Sequence, residues 1–155
     1  FSKTYAMTGW RIGWAVAPVP VIDKLSIFLQ DSITNVAAFI QKAAYAAMSG
    51  PQDWTVEKTA LLKKKRDRMV AGLNSVPGVK CDSPDGAFYA FADITGTGYT
   101  SQEYTDKLVE SAGVAVVAGT AFGSQGEGYI RVTYACSDED IDEGVNRMKE
   151  ANLVK

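Results

Sequence analysis

Ser2-Lys3-Thr4-Tyr5-Ala6-Met7-Thr8-Gly9-Trp10-Arg11-Ile12-Gly13-Trp14 decides how the rest of this chain is read. Two cations, Lys3 and Arg11, stand in a segment otherwise made of small, aromatic, apolar and hydroxyl residues. Gly9 and Gly13 lack side chains and let backbone pass close to a ligand. A lysine amine can lose its proton when desolvated and attack a carbonyl, whereas an arginine stays charged and offers a planar fork to phosphate or carboxylate. Taken singly, each has a plainer reading: a lysine on an exposed turn and an arginine in a surface ion pair. Taken as a pair, they suit a phosphorylated aldehyde.

Pyridoxal 5′-phosphate (PLP) is such a compound, combining an aldehyde that condenses with lysine and a phosphate dianion that suits a fixed guanidinium. The whole string resembles the S-K-x-x-x-M-x-G-x-R-x-G signature of the class I aminotransferases, the aspartate aminotransferase superfamily with the type I PLP fold, and every fixed position is met. The resemblance implies that Lys3 is the catalytic residue that binds the cofactor covalently and that Arg11 holds its phosphate.

The bulk composition agrees with a small-molecule enzyme. The 155 residues are 46% hydrophobic and 22% charged, enough for one well-buried core or a small domain with an appended arm. A net charge of −2 and a pI near 5.1 give no general attraction to nucleic acid or to anionic membranes. Histidine is absent, so a Ser-His-Asp triad, a Cys-His pair and a His-ligated metal site are excluded within these residues. Cys81 and Cys136 have no C-x-x-C spacing and read as reduced core residues. No apolar run reaches transmembrane length and no secretory pattern opens the chain, so a cytoplasmic location is expected.

Downstream of the signature, Arg11 to Ala17 reads as a buried strand closed by Pro18-Val19-Pro20. Helical periodicity follows over 21–28 and again, rich in alanine, over 36–48. Ser32-Ile33-Thr34-Asn35 interrupts it, either as a plain polar junction or, as the resemblance implies, as a segment facing a partner subunit's active site. Gly50-Pro51 stops the second helix, and Asp53 or Thr55 caps a third that runs to about Val76. Its run Lys63-Lys64-Lys65-Arg66, with Arg68, points around most of the circumference and reads as a solvated surface.

From Val79 the texture changes to short strands and compact helices, predicting about four strands and two helices. The turn Ser83-Pro84-Asp85-Gly86 leads into a strand, Thr100 and Glu103 form a capping box, Val114-Val117 enters the loop Ala118-Gly119-Thr120-Ala121-Phe122-Gly123, and Ser137 caps a last helix. In Tyr129-Ile130-Arg131-Val132-Thr133-Tyr134, alternation sets Arg131 opposite the apolar face. Pattern alone leaves it a half-exposed, solvated arginine.

Three of these elements extend the resemblance. Pro84-Asp85-Gly86-Ala87-Phe88-Tyr89 is similar to the family's P-x-G-A-F-Y turn, Val116 to Gly123 to its V-V-P-G-x-x-F-G loop with Ala118 for the usual proline, and Tyr129 to Ala135 to its I-R-[LIV]-[ST]-[FY]-A strand. That strand's arginine binds the substrate α-carboxylate, a role that falls on Arg131. The implied fold class is α/β: residues 1–50 as the end of a large PLP-binding domain, 51–78 as a long interdomain helix and 79–155 as a small C-terminal α+β domain. The implied reaction is amino transfer between an L-amino acid and a 2-oxo acid by a homodimer. The family's partner for the pyridine nitrogen, its stacking aromatic and a further phosphate-binding serine would precede Lys3, so the chain is expected to be the C-terminal part of a longer polypeptide and inactive alone. An aminotransferase-like sensor domain of a transcriptional regulator, a PLP-dependent β-lyase and a stand-alone interaction module are the alternatives. No metal is expected.

Overall fold

The computed structural model describes all residues, Phe1–Lys155. They form mixed helix and sheet in two compact units, Phe1–Lys58 and Thr59–Lys155.

The first unit is helical. A short 3₁₀ turn, Thr8–Trp10, precedes α1 (Val19–Ser32) and α2 (Ala38–Ser49). Pro20 lies in the first turn of α1, where its fixed φ suits a helix and its missing N–H costs nothing. Thr34 adopts φ +62 in the junction after α1, and Gly50 closes α2 by donating to the Ala46 carbonyl at 2.9 Å. The strand expected over Arg11–Ala17 is not formed. Those residues belong to no helix and no ladder, and Trp14 and Val16 remain 70% and 85% exposed. A strand exists only through neighbouring backbone, and nothing in the chain supplies it to this segment.

Helix α3 (Asp53–Leu73) runs from the first unit into the second, where its Met69 and Leu73 are buried. The second unit is built on a three-stranded antiparallel sheet of β1 (Tyr89–Asp93), β2 (Val117–Ala118) and β3 (Tyr129–Thr133), in the order β1-β3-β2. One sheet face carries Ala90, Ala92, Ala118 and Ile130, all buried in a core with Leu73, Ile94, Tyr104 and Leu108. Two helices complete that core. Helix α4 (Ser101–Lys107) opens on the expected Thr100/Glu103 capping box, continues as one wide turn over Leu108–Ala112 and stops at Gly113, φ +63. Helix α5 (Asp138–Ala151) opens on a second box, Ser137 with Asp140, and buries Ile141, Val145 and Met148.

Three strands form where about four are expected. Around Val79–Cys81 only Lys80 bridges, to Asp93, because the Asn74 side chain takes both the N–H of Cys81 at 2.9 Å and its carbonyl at 2.8 Å. With those groups satisfied, the ladder has nothing left to extend through.

The basic run of α3 is also more than a solvated face. Lys63 and Lys64 are exposed, but the Lys65 ammonium, its side chain only 13% exposed, donates to the Cys136 carbonyl at 2.6 Å and to Asp138 at 2.8 Å. Arg68 forks onto Asp142 with two bonds of 2.7 Å. Lys65 and Arg68, about one helical turn apart, thus tie α3 to the start of α5.

Candidate active site

Lys3 and Arg11 lie in one loop, in which the backbone before Lys3 and the Arg11 side chain are both bonded by Thr8. Its hydroxyl donates to the Ser2 carbonyl at 2.9 Å, fixing the backbone immediately before Lys3. Its own carbonyl accepts from Arg11 Nη1 at 3.0 Å. Local turns complete the shape: the Ala6 N–H meets the Lys3 carbonyl at 3.3 Å, Ala6 takes φ +52, and Arg11 ends the 3₁₀ turn at φ +49. Left-handed backbone at two non-glycine residues is a conformation that costs energy and recurs at ligand-binding loops. Met7 is buried beneath the loop, and the Tyr5 hydroxyl donates to Gln52 at 3.0 Å, just before α3.

Both cations are exposed, and neither has an acidic partner in the chain. The Lys3 ammonium makes no hydrogen bond, and Arg11 spends one N–H on Thr8, leaving the rest of its fork unused. An unengaged primary amine and a guanidinium with free N–H groups are the donor set a phosphorylated aldehyde requires, so these residues fit PLP. A Cβ built on Gly9 or Gly13 meets nothing within 4 Å, and neither residue has positive φ, so crowding inside the chain does not demand glycine at either position. An open cleft of about 340 Å³ lies nearby in the same unit, lined by Phe1, Ile12, Trp14, Tyr45 and Met48 among others. Neither cation lines it, so it is not the centre of this chemistry.

Arg131 belongs to the other unit and is held differently. It sits in the central strand β3, opposite Phe91 of β1 and Val117 of β2. This is the sheet face away from the core, as alternation predicts. The arginine is not simply solvated, however: it is half-buried, with Cζ 4.3 Å from the ring centre of Tyr89 and 4.5 Å from that of Phe122. It makes no ion pair, and none of its N–H groups is bonded within the chain. Tyr89 follows the turn at Asp85–Ala87, where Ala87 takes φ +62 and the buried Tyr134 donates its hydroxyl to the Ala87 carbonyl at 3.2 Å. Phe122 ends the turn Gly119–Phe122, whose backbone lies so close to Gly126 that a Cβ on either glycine would overlap the other's carbonyl.

The remaining candidates fall away. Both cysteines are free thiols, and burial pushes the pKa of each upward, so neither is an activated nucleophile. No group of acidic, cysteine or histidine side chains has a metal-binding arrangement. No helix is long and apolar enough to cross a membrane.

The family described as aminotransferase class I and II matches residues 1–148. The chain belongs to that family. Among its relatives, an aspartate aminotransferase of Pyrococcus horikoshii is 43% identical over 153 residues, covering 97% of this chain and 39% of that protein. An aromatic-amino-acid aminotransferase of Thermococcus litoralis is 40% identical over 159 residues, covering 99% of this chain and 41% of the other. The crystal structure of an aromatic aminotransferase from P. horikoshii superposes with a TM-score of 0.92 at 39% identity, covering 97% of this chain and 40% of that one. The chain therefore spans about two fifths of the length of the curated relatives it matches.

Within this chain, the expected site residues divide between the units: Lys3 and Arg11 share a loop in one, and Arg131 stands on the sheet of the other. Sequence reasoning passed over Thr8, Tyr89 and Phe122. Tyr89 and Phe122 lie inside the motifs quoted above, but a motif names the residues without showing that both rings meet Arg131. Thr8 occupies a variable position of the signature and carries no signal of its own.

Proposed function

We propose that the chain supplies the lysine and two binding arginines of a PLP-dependent aminotransferase that moves an amino group between an L-amino acid and a 2-oxo acid. The observation that carries this reading is the Lys3–Thr8–Arg11 arrangement, which puts an unengaged amine and an unpaired guanidinium on one turn. When bound, PLP supplies an electrophilic carbon and a ring that accepts electrons. Lys3 would be the covalent anchor, and its Nζ, when not so engaged, would take the substrate Cα proton as general base and return a proton as general acid. Arg11 binds the phosphate with the N–H groups not spent on Thr8. Arg131 grips the substrate carboxylate through a fork that no group of this chain occupies.

No residue of the chain is assigned to the cofactor's ring nitrogen, so the proposal gives turnover to a longer polypeptide that carries these residues and not to the chain alone. It further gives that polypeptide a homodimeric state, to which the exposed apolar side chains of the first unit, including Phe28 and Phe39, lend support. The names of the relatives span aspartate, aromatic and LL-diaminopimelate aminotransferases, so the amino donor is left open. The test is a single half-reaction. The longer protein, loaded with PLP and given an amino acid without an acceptor, should release one equivalent of 2-oxo acid and then stop. Release of free ammonia, with 2-oxo acid continuing to form beyond one equivalent, contradicts amino transfer and favours lyase chemistry.

A further inference from the structure

Arginine is a long side chain, and ordering it for a ligand normally costs conformational entropy at the moment of binding. Arg131 is ordered in advance by contacts that consume none of its hydrogen-bonding capacity. Tyr89 and Phe122 lie 4.3 and 4.5 Å from its Cζ, and π contacts engage the cation without using an N–H. Each ring is itself braced. Tyr89 opens β1, two residues before Phe91, which pairs with Arg131, and its ring centre lies 4.3 Å from that of Phe88. Phe122 meets Phe91 edge-on at 6.2 Å, and Phe91 stacks on Tyr129 at 5.1 Å with 7° between the planes. The rings come from separate elements, a strand start and a glycine-dependent turn, so neither contact follows from sheet register alone.

We propose that Tyr89 and Phe122 are positioning residues that hold the Arg131 guanidinium still while leaving its N–H fork free for the carboxylate of a 2-oxo or amino acid. This rests on the reading of Arg131 given above. A carboxylate or amide neighbour would also immobilise the arginine, but it would occupy the fork. Two rings immobilise it and keep the fork open. The expected cost of removing one ring is carboxylate binding weaker by about two- to tenfold, the range for freeing one rotamer-rich side chain.

The test uses the longer polypeptide that carries these residues, loaded with PLP and labelled with ¹⁵N in its arginines, the Arg131 signals being identified by their loss in Arg131→Lys. Two quantities are read: the rate of rotation about the Arg131 guanidinium bonds, and the shift of its N–H signals on adding pyruvate. Wild type should rotate slowly and shift on titration. Tyr89→Leu and Phe122→Leu should rotate faster and need about two- to tenfold more pyruvate, while Tyr89→Phe and Phe122→Tyr, which keep a ring, should behave as wild type. The backbone amide spectrum checks that each variant keeps its fold, and Tyr89→Met or Phe122→Met, which keeps bulk without a ring, replaces a leucine variant that does not. Slow rotation and unchanged pyruvate binding in both leucine variants would overturn the positioning role and leave the carboxylate site intact. No pyruvate shift in wild type, whatever the rotation rates, would overturn the carboxylate site itself, and the positioning role with it.

Discussion

The two units organise their candidate site cations by opposite means. In Phe1–Lys58 only Met7 and Ala44 are buried hydrophobics, while Trp14, Val16, Phe28 and Phe39 lie exposed. Lys3 and Arg11 are placed there by local hydrogen bonds and left-handed turns within a dozen residues. In Thr59–Lys155 a shared core reaches from Leu73 through Ile94 and Ile130 to Met148, and Arg131 stands on the central strand of the sheet that covers it. A group placed by local turns needs little tertiary support to have its shape. A group placed by a packed sheet inherits the rigidity of the whole core.

The largest expected effects separate the two arginines by ligand. In the longer polypeptide, Arg131→Gln should lower kcat/KM by about 10²-fold or more through loss of a charged, forked contact, with PLP affinity little changed. Arg11→Gln should do the reverse, weakening PLP while the KM for the amino acid at saturating cofactor stays near wild type. Paired steady-state kinetics and cofactor titration check both, and one arginine moving both quantities equally would break the comparison. Next in size is the core itself. Leu73→Ala should cost about 2–5 kcal/mol in denaturant unfolding of the chain. Phe28→Ala, on a helix with no buried residue, should stay within about 0.5 kcal/mol.

A smaller effect tests how the Arg131 face is held. Gly119→Ala pushes a Cβ into the Gly126 carbonyl and should cost about 1–3 kcal/mol while displacing Phe122. Thermal unfolding together with the Arg131 side-chain signals would show both. The smallest effect is a pH dependence confined to the second unit. Lys65 and Arg68 hydrogen-bond Asp138 and Asp142 and hold both carboxyls below the ordinary range. Folded carboxylates with depressed pKa bind fewer protons than the unfolded chain, so their contribution is complete above the ordinary carboxylate pKa and is lost as pH falls through the lowered folded values. Acid titration of stability should therefore flatten in Asp138→Asn and Asp142→Asn. Lys65→Met should destabilise more than Arg68→Met, because the Lys65 side chain is 13% exposed against 46%.

What was legible in the sequence follows the same division. Periodicity and capping residues place α4 with its box and α5 with its Ser137 cap, because those signals are local and physical: a hydroxyl three residues before a carboxylate can satisfy two orphan N–H groups. Alternation likewise puts Arg131 opposite the apolar face of its strand. The misread elements depend on partners that no local pattern reveals. Arg11–Ala17 has strand composition but no neighbouring strand, Cys81 gives its backbone to Asn74, and Lys65 looks like any solvated lysine until Asp138 arrives from more than seventy residues away. The candidate site divides in the same manner. Lys3, Arg11 and Arg131 are named by motif, whereas Thr8, Tyr89 and Phe122 act through contacts seen only in three dimensions.

The central claim is that Lys3 is a covalent anchor for PLP on a loop shared with the phosphate-binding arginine. The most direct measurement adds PLP to the longer polypeptide, reduces with borohydride and maps the modified residue by mass spectrometry, with Lys3→Ala in parallel. The account predicts one stable adduct on Lys3 and none in the variant. An adduct spread over other lysines, or one of equal yield in Lys3→Ala, would contradict it.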